Sequence, residues 1–581
     1  MIAASDSGGE SRMRHAEWWA GALLLLMAIT LLATTERKSI TNDETIHIPA
    51  GYYHLVAGDF QLNNEHPPLA KMWSAIPLLF LQPQEPPAAD VNATTSGQLG
   101  FSVLSRFWLD NERSFERISF WARVPMIALT VALGALIFAT ARRVFNDRAA
   151  VFAVALFATE PTVLAHGRTV QTDVPAALVY LGFFLTLHRY LGRPGVPRAA
   201  LLGLAGGVAL GTKYSLVPLV VPVIGVVLAM RLWQAHDAAA RRRIAGHACV
   251  VAALALLVVN LAYRFQRPPL SPGDVQWVAS QTPALFGAIM RGISWLSRIV
   301  PTYFLFGFYN VAIHDYYGHS AFLLGRFSDR GWWWYFPAAF ALKTSLPFLG
   351  LTIATLAWAL WAAVRQHHRA ARILIVPCLL YVGLTMKGHI NIGVRHLLPA
   401  YPFLFILGGA VLDRLLRATR FVLLARAAVA VTLLWAGLEA VRAYPDYMTY
   451  MNQLAWREPR YQYLSDSNIE WGDEVKELAD YLKARGQTRV RAALLGGWLT
   501  LARYGVGFVD LFDRPPGEIP ETEYIAIGAS FLNGSTVPGG GPGSGRDTSE
   551  TRINYFAEYR RKTPEAVFAH SIYLYRVGAR E

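Results

Sequence analysis

The chain reads as an α-helical polytopic membrane protein with about eleven transmembrane helices, amphipathic helices in a long first outer loop, and a small extracytoplasmic α/β domain at its C-terminus. Three observations predict this. Hydrophobic residues make up 54% of the 581 residues and charged residues only 16%. Apolar runs near membrane-spanning length recur up to residue 440, each able to satisfy its backbone internally as a helix. Arginines gather in the short loops between alternate runs, the mark of cytoplasmic loops.

The charge follows from this arrangement. The balance of 54 Lys+Arg against 40 Asp+Glu gives +14, which in a soluble protein would suggest nucleic acid. Here topology accounts for the arginines first and attraction to anionic lipid second, and no nucleic-acid partner is expected. Cys249 and Cys378 both lie in apolar runs, so neither a disulfide framework nor a cysteine metal site is indicated. The first apolar run lacks a clear small-residue cleavage site, which argues against a cleaved signal peptide.

Span one, at 18–34, follows Arg12 and Arg14, which places the N-terminus in the cytoplasm. The mostly polar loop 36–121 is then outside, with 45–58 and 69–81 as helices lying at the interface. Span two, 122–140, ends in Arg142-Arg143 and so agrees with the first assignment. Span three, 149–165, returns outward, and span four runs back to Arg189 and Arg193. Spans five and six, 199–211 and 215–232, lead to Arg241-Arg242-Arg243, and span seven, 246–263, opens into a second outer segment, 264–330. The belt Gly331-Trp332-Trp333-Trp334-Tyr335-Phe336-Pro337 opens span eight, which carries Lys343. Spans nine and ten flank an outer loop holding Arg395-His396, and span eleven, 421–440, exits outward. An odd number of spans leaves 441–581 outside as a separate domain from the membrane domain 1–440. Its pattern predicts a helix at 474–485 and strands at 489–495, 524–527 and 571–577.

Polar residues beside the outer ends of these spans are the candidates for chemistry. A carboxylate of Asp43-Glu44, held beside the bilayer, could take a proton from a hydroxyl acceptor. The same residues also suit the start of a helix, and both readings stand. Neighbours on a helix point about 100° apart, so the two acids cannot easily do the same job. In Glu65-His66-Pro67-Pro68-Leu69-Ala70-Lys71 the prolines fix a turn, and His66 and Lys71 could meet an anion such as phosphate or could bond backbone and headgroups. Arg123 and Arg395 add positive charge on the same membrane face, suited to phosphate through the planar guanidinium and equally to lipid headgroups. Lys343, toward mid-bilayer, calls for a cavity or an acidic partner, with Asp173 the candidate partner or second polar site in that cavity.

These motifs together resemble the GT-C superfamily of polyprenyl-phosphate-sugar-dependent glycosyltransferases, of family-39 type, in its protein O-mannosyltransferase and aminoarabinose-transferase branches. The resemblance rests on Asp43-Glu44, on the His66-Pro67-Pro68 element, on the aromatic belt with Lys343-Thr344, and on Arg395-His396-Leu397-Leu398-Pro399. It rests also on Ser465-Asp466-Ser467-Asn468-Ile469-Glu470-Trp471-Gly472-Asp473, a stretch that equally suits a helix cap with Trp471 packed beside it. It implies an inverting enzyme of the plasma or bacterial inner membrane. One sugar would pass from a polyprenyl-phosphate carrier to an extracytoplasmic hydroxyl of protein, lipid or glycan. Asp43 would be the general base and Glu44 its supporting acid, with His66, Lys71, Arg123 and, more weakly, Arg395 at the carrier phosphate. No cofactor is required, because positive side chains can neutralise the leaving phosphate. His47, His54 and His66 would suffice for a structural divalent ion that nothing in the pattern demands. Two departures from the family keep sugar and acceptor open: the tail has no tandem sensor-like repeats, and histidine stands where the aminoarabinose branch has lysine before Pro-Pro. A transporter or flippase of lipid-linked sugar is the competing reading. It would call for inverted repeats, and none is visible.

Overall fold

The computed structural model describes residues 7–85, 96–512, 522–540 and 545–577. They fall into two compact units. One comprises Met1–Asn42, Ile127–Thr169 and Gly318–Glu581, the other Asp43–Met126 and Val170–Tyr317.

Among the described residues nine helices are long and apolar enough to cross a membrane, which makes this a multi-pass membrane protein. Two of the eleven expected spans fall short. The third is split at Glu160, whose extended backbone separates Asp147–Thr159 from Pro161–His166. Proline lacks the amide that would continue the first helix and is suited to starting the second. The fifth is the 15-residue helix Val196–Leu210, shorter than a bilayer crossing needs.

The first unit is organised around Val394–Leu416, whose apolar window is 94% buried, against 17% for Val422–Arg442. The first is a central helix and the second a wall. Close packing at the centre is set by Gly409, where an added Cβ would overlap the Ala149 carbonyl oxygen. The aromatic belt does not run straight into span eight as expected. A short helix, Tyr335–Lys343, ends at Thr344, and a second, Leu346–Val364, makes the crossing with Pro347 in its first turn. Lys343 therefore stands at a helix end rather than mid-span.

The C-terminal segment of this unit holds a five-stranded mixed sheet. Its order is Gly507–Asp510, Arg489–Ala493, Tyr524–Gly528, Ile572–Arg576 and Ala566–Phe568, parallel across the first two pairings and antiparallel across the last two. The helix Val475–Lys483 lays Val475, Leu478 and Leu482 on Val490, Ala492 and Leu574. The helix and three strands read from the pattern are present. The short strands Gly507–Asp510 and Ala566–Phe568 carry too few residues to show a period.

In the second unit, Glu44–Val56 is not the two-faced interfacial helix expected of 45–58. It is buried at Glu44, Thr45 and from His47 through His54. The Ser96–Asp110 helix supplies part of the cover, Trp108 donating to the Thr45 carbonyl at 2.7 Å. The expected helix at 69–81 is broken by Pro77 into Leu69–Ala75 and Leu78–Leu81.

The central packing can be tested directly. Gly409→Val should cost about 1–3 kcal/mol through overpacking, read as a lower thermal midpoint in detergent. Gly437→Val, whose Cβ would meet nothing within 4 Å, should leave the midpoint nearly where it is.

Candidate active site

The helix Glu44–Val56 begins where the Asp43 carbonyl accepts from the amides of Ile46 and His47, at 3.1 and 2.8 Å. The Asp43 side chain makes no cap bond to this helix and is half-buried. Glu44, the next residue, turns the other way. Its two oxygens accept from Arg123 Nε at 2.7 Å and a terminal Arg123 nitrogen at 2.5 Å, and one of them also accepts from the Val170 amide at 2.9 Å. Both side chains of this ion pair are almost wholly buried. A planar fork meeting both carboxylate oxygens fixes direction as well as charge. The adjacent acids are thus separated by the helix into different surroundings.

A second carboxylate joins Asp43 from the loop before the prolines. Glu65 is solvent-exposed yet closely surrounded by protein. Its carboxyl is pushed above the ordinary value, first by that enclosure and then by the charge of Asp43, with Lys71 opposing. Lys71 points inward beneath this loop. Its ammonium donates to the Asn63 carbonyl and side-chain oxygens and to the His66 carbonyl, at 2.5, 2.9 and 2.9 Å. Burial pulls its pKa down to about 7. Three acceptors for three donors make Lys71 the fastener of the 63–66 turn.

His66 lies edge-on to His47, ring centroids 5.6 Å apart. His47 is oriented by donating from Nδ1 to the Val170 carbonyl at 3.0 Å. The buried Nδ1 of His66 has no hydrogen-bond partner among the described residues. Burial, followed by the charges of His47, Lys213 and Lys71, holds the His66 pKa well below its ordinary value, which favours the neutral ring. His54 is used elsewhere, donating from Nε2 to the Leu62 carbonyl at 3.0 Å and stacking on Phe60. Among the described residues no three His, Cys, Asp or Glu side chains form a group able to hold a metal ion.

Asp173, read from sequence as a partner for Lys343 or a second polar site, pairs with Lys213, both buried. In the other unit, Lys343 donates to the carbonyls of Met448 and Asn468 at 2.7 and 2.5 Å. Arg395 also belongs to that unit. Its Nε donates to Ser467 Oγ at 3.1 Å, and its guanidinium lies 4.2 Å from the centre of the Trp471 ring. Within the second unit the structure thus sets Glu65 beside Asp43, and His66 among His47, Lys213 and Asp173, and directs Glu44, Arg123 and Lys71 to the framework. Glu65 and Lys213 were given no role from sequence, and His47 was named there only with His54 and His66 as sufficient for a divalent ion. The signal for Glu65 was its place beside His66 and Pro67.

Residues 115–263, which carry Arg123, Asp173 and Lys213, match the family model for dolichyl-phosphate-mannose-protein mannosyltransferase. Over those residues the match agrees with the resemblance read from the motifs. No curated protein sequence matches. Among solved structures, the chain is similar to ArnT from Cupriavidus metallidurans bound to undecaprenyl phosphate, at 14% identity over 96% of this chain and 98% of that one, with a TM-score of 0.48. It is similar also to the apo oligosaccharyltransferase of Archaeoglobus fulgidus, at 13% identity over 93% and 68%, with a TM-score of 0.42. A third likeness is to the S. cerevisiae protein O-mannosyltransferase complex bound to the sugar donor, at 18% identity over 45% and 35%, with a TM-score of 0.31.

The Glu44–Arg123 pair gives a stability prediction. Glu44→Gln should cost about 3–5 kcal/mol, because it leaves a buried guanidinium without its counter-charge. The double change Glu44→Leu with Arg123→Met should recover much of that loss in the same thermal-unfolding measurement.

Proposed function

We propose that the chain transfers a single sugar from a polyprenyl-phosphate carrier to an extracytoplasmic hydroxyl, with Asp43 as general base and inversion at the anomeric carbon. The observation that carries this reading is the separation of the two adjacent acids. Glu44 is locked to Arg123 and Val170, while the Asp43 carboxylate leads its helix without capping it and acts by its charge on Glu65, the residue before His66.

The steps follow from this arrangement. The Asp43 carboxylate takes the acceptor's hydroxyl proton as the acceptor oxygen attacks the anomeric carbon from the face opposite the phosphate. The bond between that carbon and the phosphate oxygen breaks, and its electron pair leaves with polyprenyl phosphate. His66, neutral with Nδ1 unpartnered among the described residues, is the best placed of the candidate phosphate contacts. Lys71 and Arg123 contribute positive field and framework, and the Asp173–Lys213 pair borders the sugar. Glu65, its pKa raised, holds a proton over a wider pH range than an exposed carboxylate and can donate to a sugar hydroxyl. The family match at 115–263 supports a dolichyl- or polyprenyl-phosphate donor. The arginine-bearing loops support an outer-face site in a membrane such as the bacterial inner membrane.

Purified protein in lipid, supplied with a panel of polyprenyl-phosphate sugars and hydroxyl acceptors, should release free polyprenyl phosphate. Asp43→Ala should lower turnover by about 10²- to 10⁴-fold and leave donor affinity where it was. His66→Ala should weaken donor binding by about tenfold or more, the worth of one hydrogen bond to an anion. Full turnover by Asp43→Ala would sink the assignment.

A further inference from the structure

The motif from Ser465 to Asp473 takes no part in the steps of transfer, yet the chain leading to Asp43 is held against it. The Ser39 amide donates to the Asp473 carbonyl at 2.9 Å, and the Asn42 amide donates to the Trp471 carbonyl at 2.7 Å. Between these two bonds sits Gly472 at φ +98°, where an added Cβ would stand 3.1 Å from the Leu495 carbonyl oxygen and 3.3 Å from that of Ile40. Gly496, at φ +68°, approaches from the other side, its Cβ position 3.1 Å from the Asn42 Cα. Both backbones occupy the left-handed region that glycine adopts without steric penalty.

The two faces of this contact are fixed in turn. Lys38 is buried, paired with Asp446 and with Glu477 at 2.6 Å, and lies 3.8 Å from Glu474. Asp473 is bound by Arg168 at 2.5 Å, with both side chains buried. Glu470 accepts from the amides of Leu495 and Ser530 at 2.9 and 2.8 Å, which ties the motif to the C-terminal sheet. Asn468 accepts from the Val394 amide at 2.9 Å and donates to Tyr335 at 2.9 Å, and Ser467 donates to the Ile392 carbonyl at 2.8 Å. The motif is anchored at both ends, and its last residues grip the four that precede the acid.

We propose that Trp471-Gly472-Asp473, together with Gly496, is a positioning clamp for Asp43: the C-terminal domain fixes the backbone of Ser39 to Asn42 and thereby sets where the next residue's carboxylate meets the acceptor. Gly472 and Gly496 are positioning residues and touch no substrate. The inference rests on Asp43 being the base. Because the clamp acts on the base and the donor is held through His66, loosening it should alter kcat rather than donor affinity.

The test uses full-length protein in lipid, with Gly472→Ala and the milder Gly496→Ala compared with the parent chain. Turnover, donor affinity, thermal midpoint and amide hydrogen exchange over 38–47 are read on the same preparations. Expected are a fall in kcat of roughly 10- to 100-fold for Gly472→Ala, as for a base misplaced by about 1 Å, a smaller fall for Gly496→Ala, faster exchange confined to 38–47, and unchanged donor affinity. Unchanged kcat and exchange would overturn the clamp. A parallel loss of donor binding and thermal midpoint in both variants would overturn it too, since that is what a merely structural contact gives. If the parent chain transfers no sugar, the glycosyltransfer reading fails separately, and exchange alone decides whether 38–47 is clamped.

Discussion

The bidentate contact between Glu44 and Arg123 is the constraint on which the neighbourhood of Asp43 depends. Two charges are taken out of water together and compensate one another, and the Val170 amide donates a third hydrogen bond to the carboxylate. Such a pair adds little net stability over an apolar replacement, but it is costly to break and strict in geometry. It joins the start of the Glu44–Val56 helix, the long helix bearing Arg123 and the turn at Val170. The direction of Asp43 follows from the direction of Glu44, since one residue of helix separates them by about 100°. Two adjacent acids can therefore stand side by side in sequence and occupy different surroundings.

Much of the architecture was legible because membrane spans are written locally. A run of apolar residues, an arginine at one end and an aromatic belt at the other need no knowledge of the partner helix. The same holds for the helix Val475–Lys483 and for the strands Arg489–Ala493 and Tyr524–Gly528, whose periods are long enough to read. What was not legible depended on distant partners. The burial of 45–58 comes from the Ser96–Asp110 helix and Trp108, which no pattern within 45–58 announces. The place of Lys343 was misjudged because its hydropathic surroundings continue smoothly through a backbone break. At the site, the closeness of Asp43 and Glu65 and the pairing of Lys213 with Asp173 are facts of folding, whereas the roles expected of Asp43 and His66 came from motif order.

The histidines show why residue type alone does not define a site. His47, His54 and His66 lie on one short stretch of sequence and suggested a common ligand, but the fold separates their uses. His47 bonds the Val170 carbonyl, and His54 closes the turn at Leu62. Among the described residues the Nδ1 atoms of both His54 and His66 lack a hydrogen-bond partner. The difference lies in their surroundings. The His54 ring is stacked on Phe60, whereas His66 follows Glu65 directly in the loop whose carboxylate feels the charge of Asp43. Unused hydrogen-bonding capacity beside acidic side chains is what marks His66 out from His54.

The two interrupted helices of the first unit have a consequence of another kind. At one break stands Glu160, whose carboxylate accepts from both the amide and the hydroxyl of Ser345 at the other break. The hydroxyl of Thr162 in turn donates to the Lys343 carbonyl. Each gap supplies what its counterpart has lost, so neither can be closed by itself without stranding polar groups of the other away from water. The breaks are heritable only as a couple. A lineage or a designer that straightened one helix would have to straighten its mate in the same move, and this mutual dependence adds to the prolines at each break as a reason for both to persist.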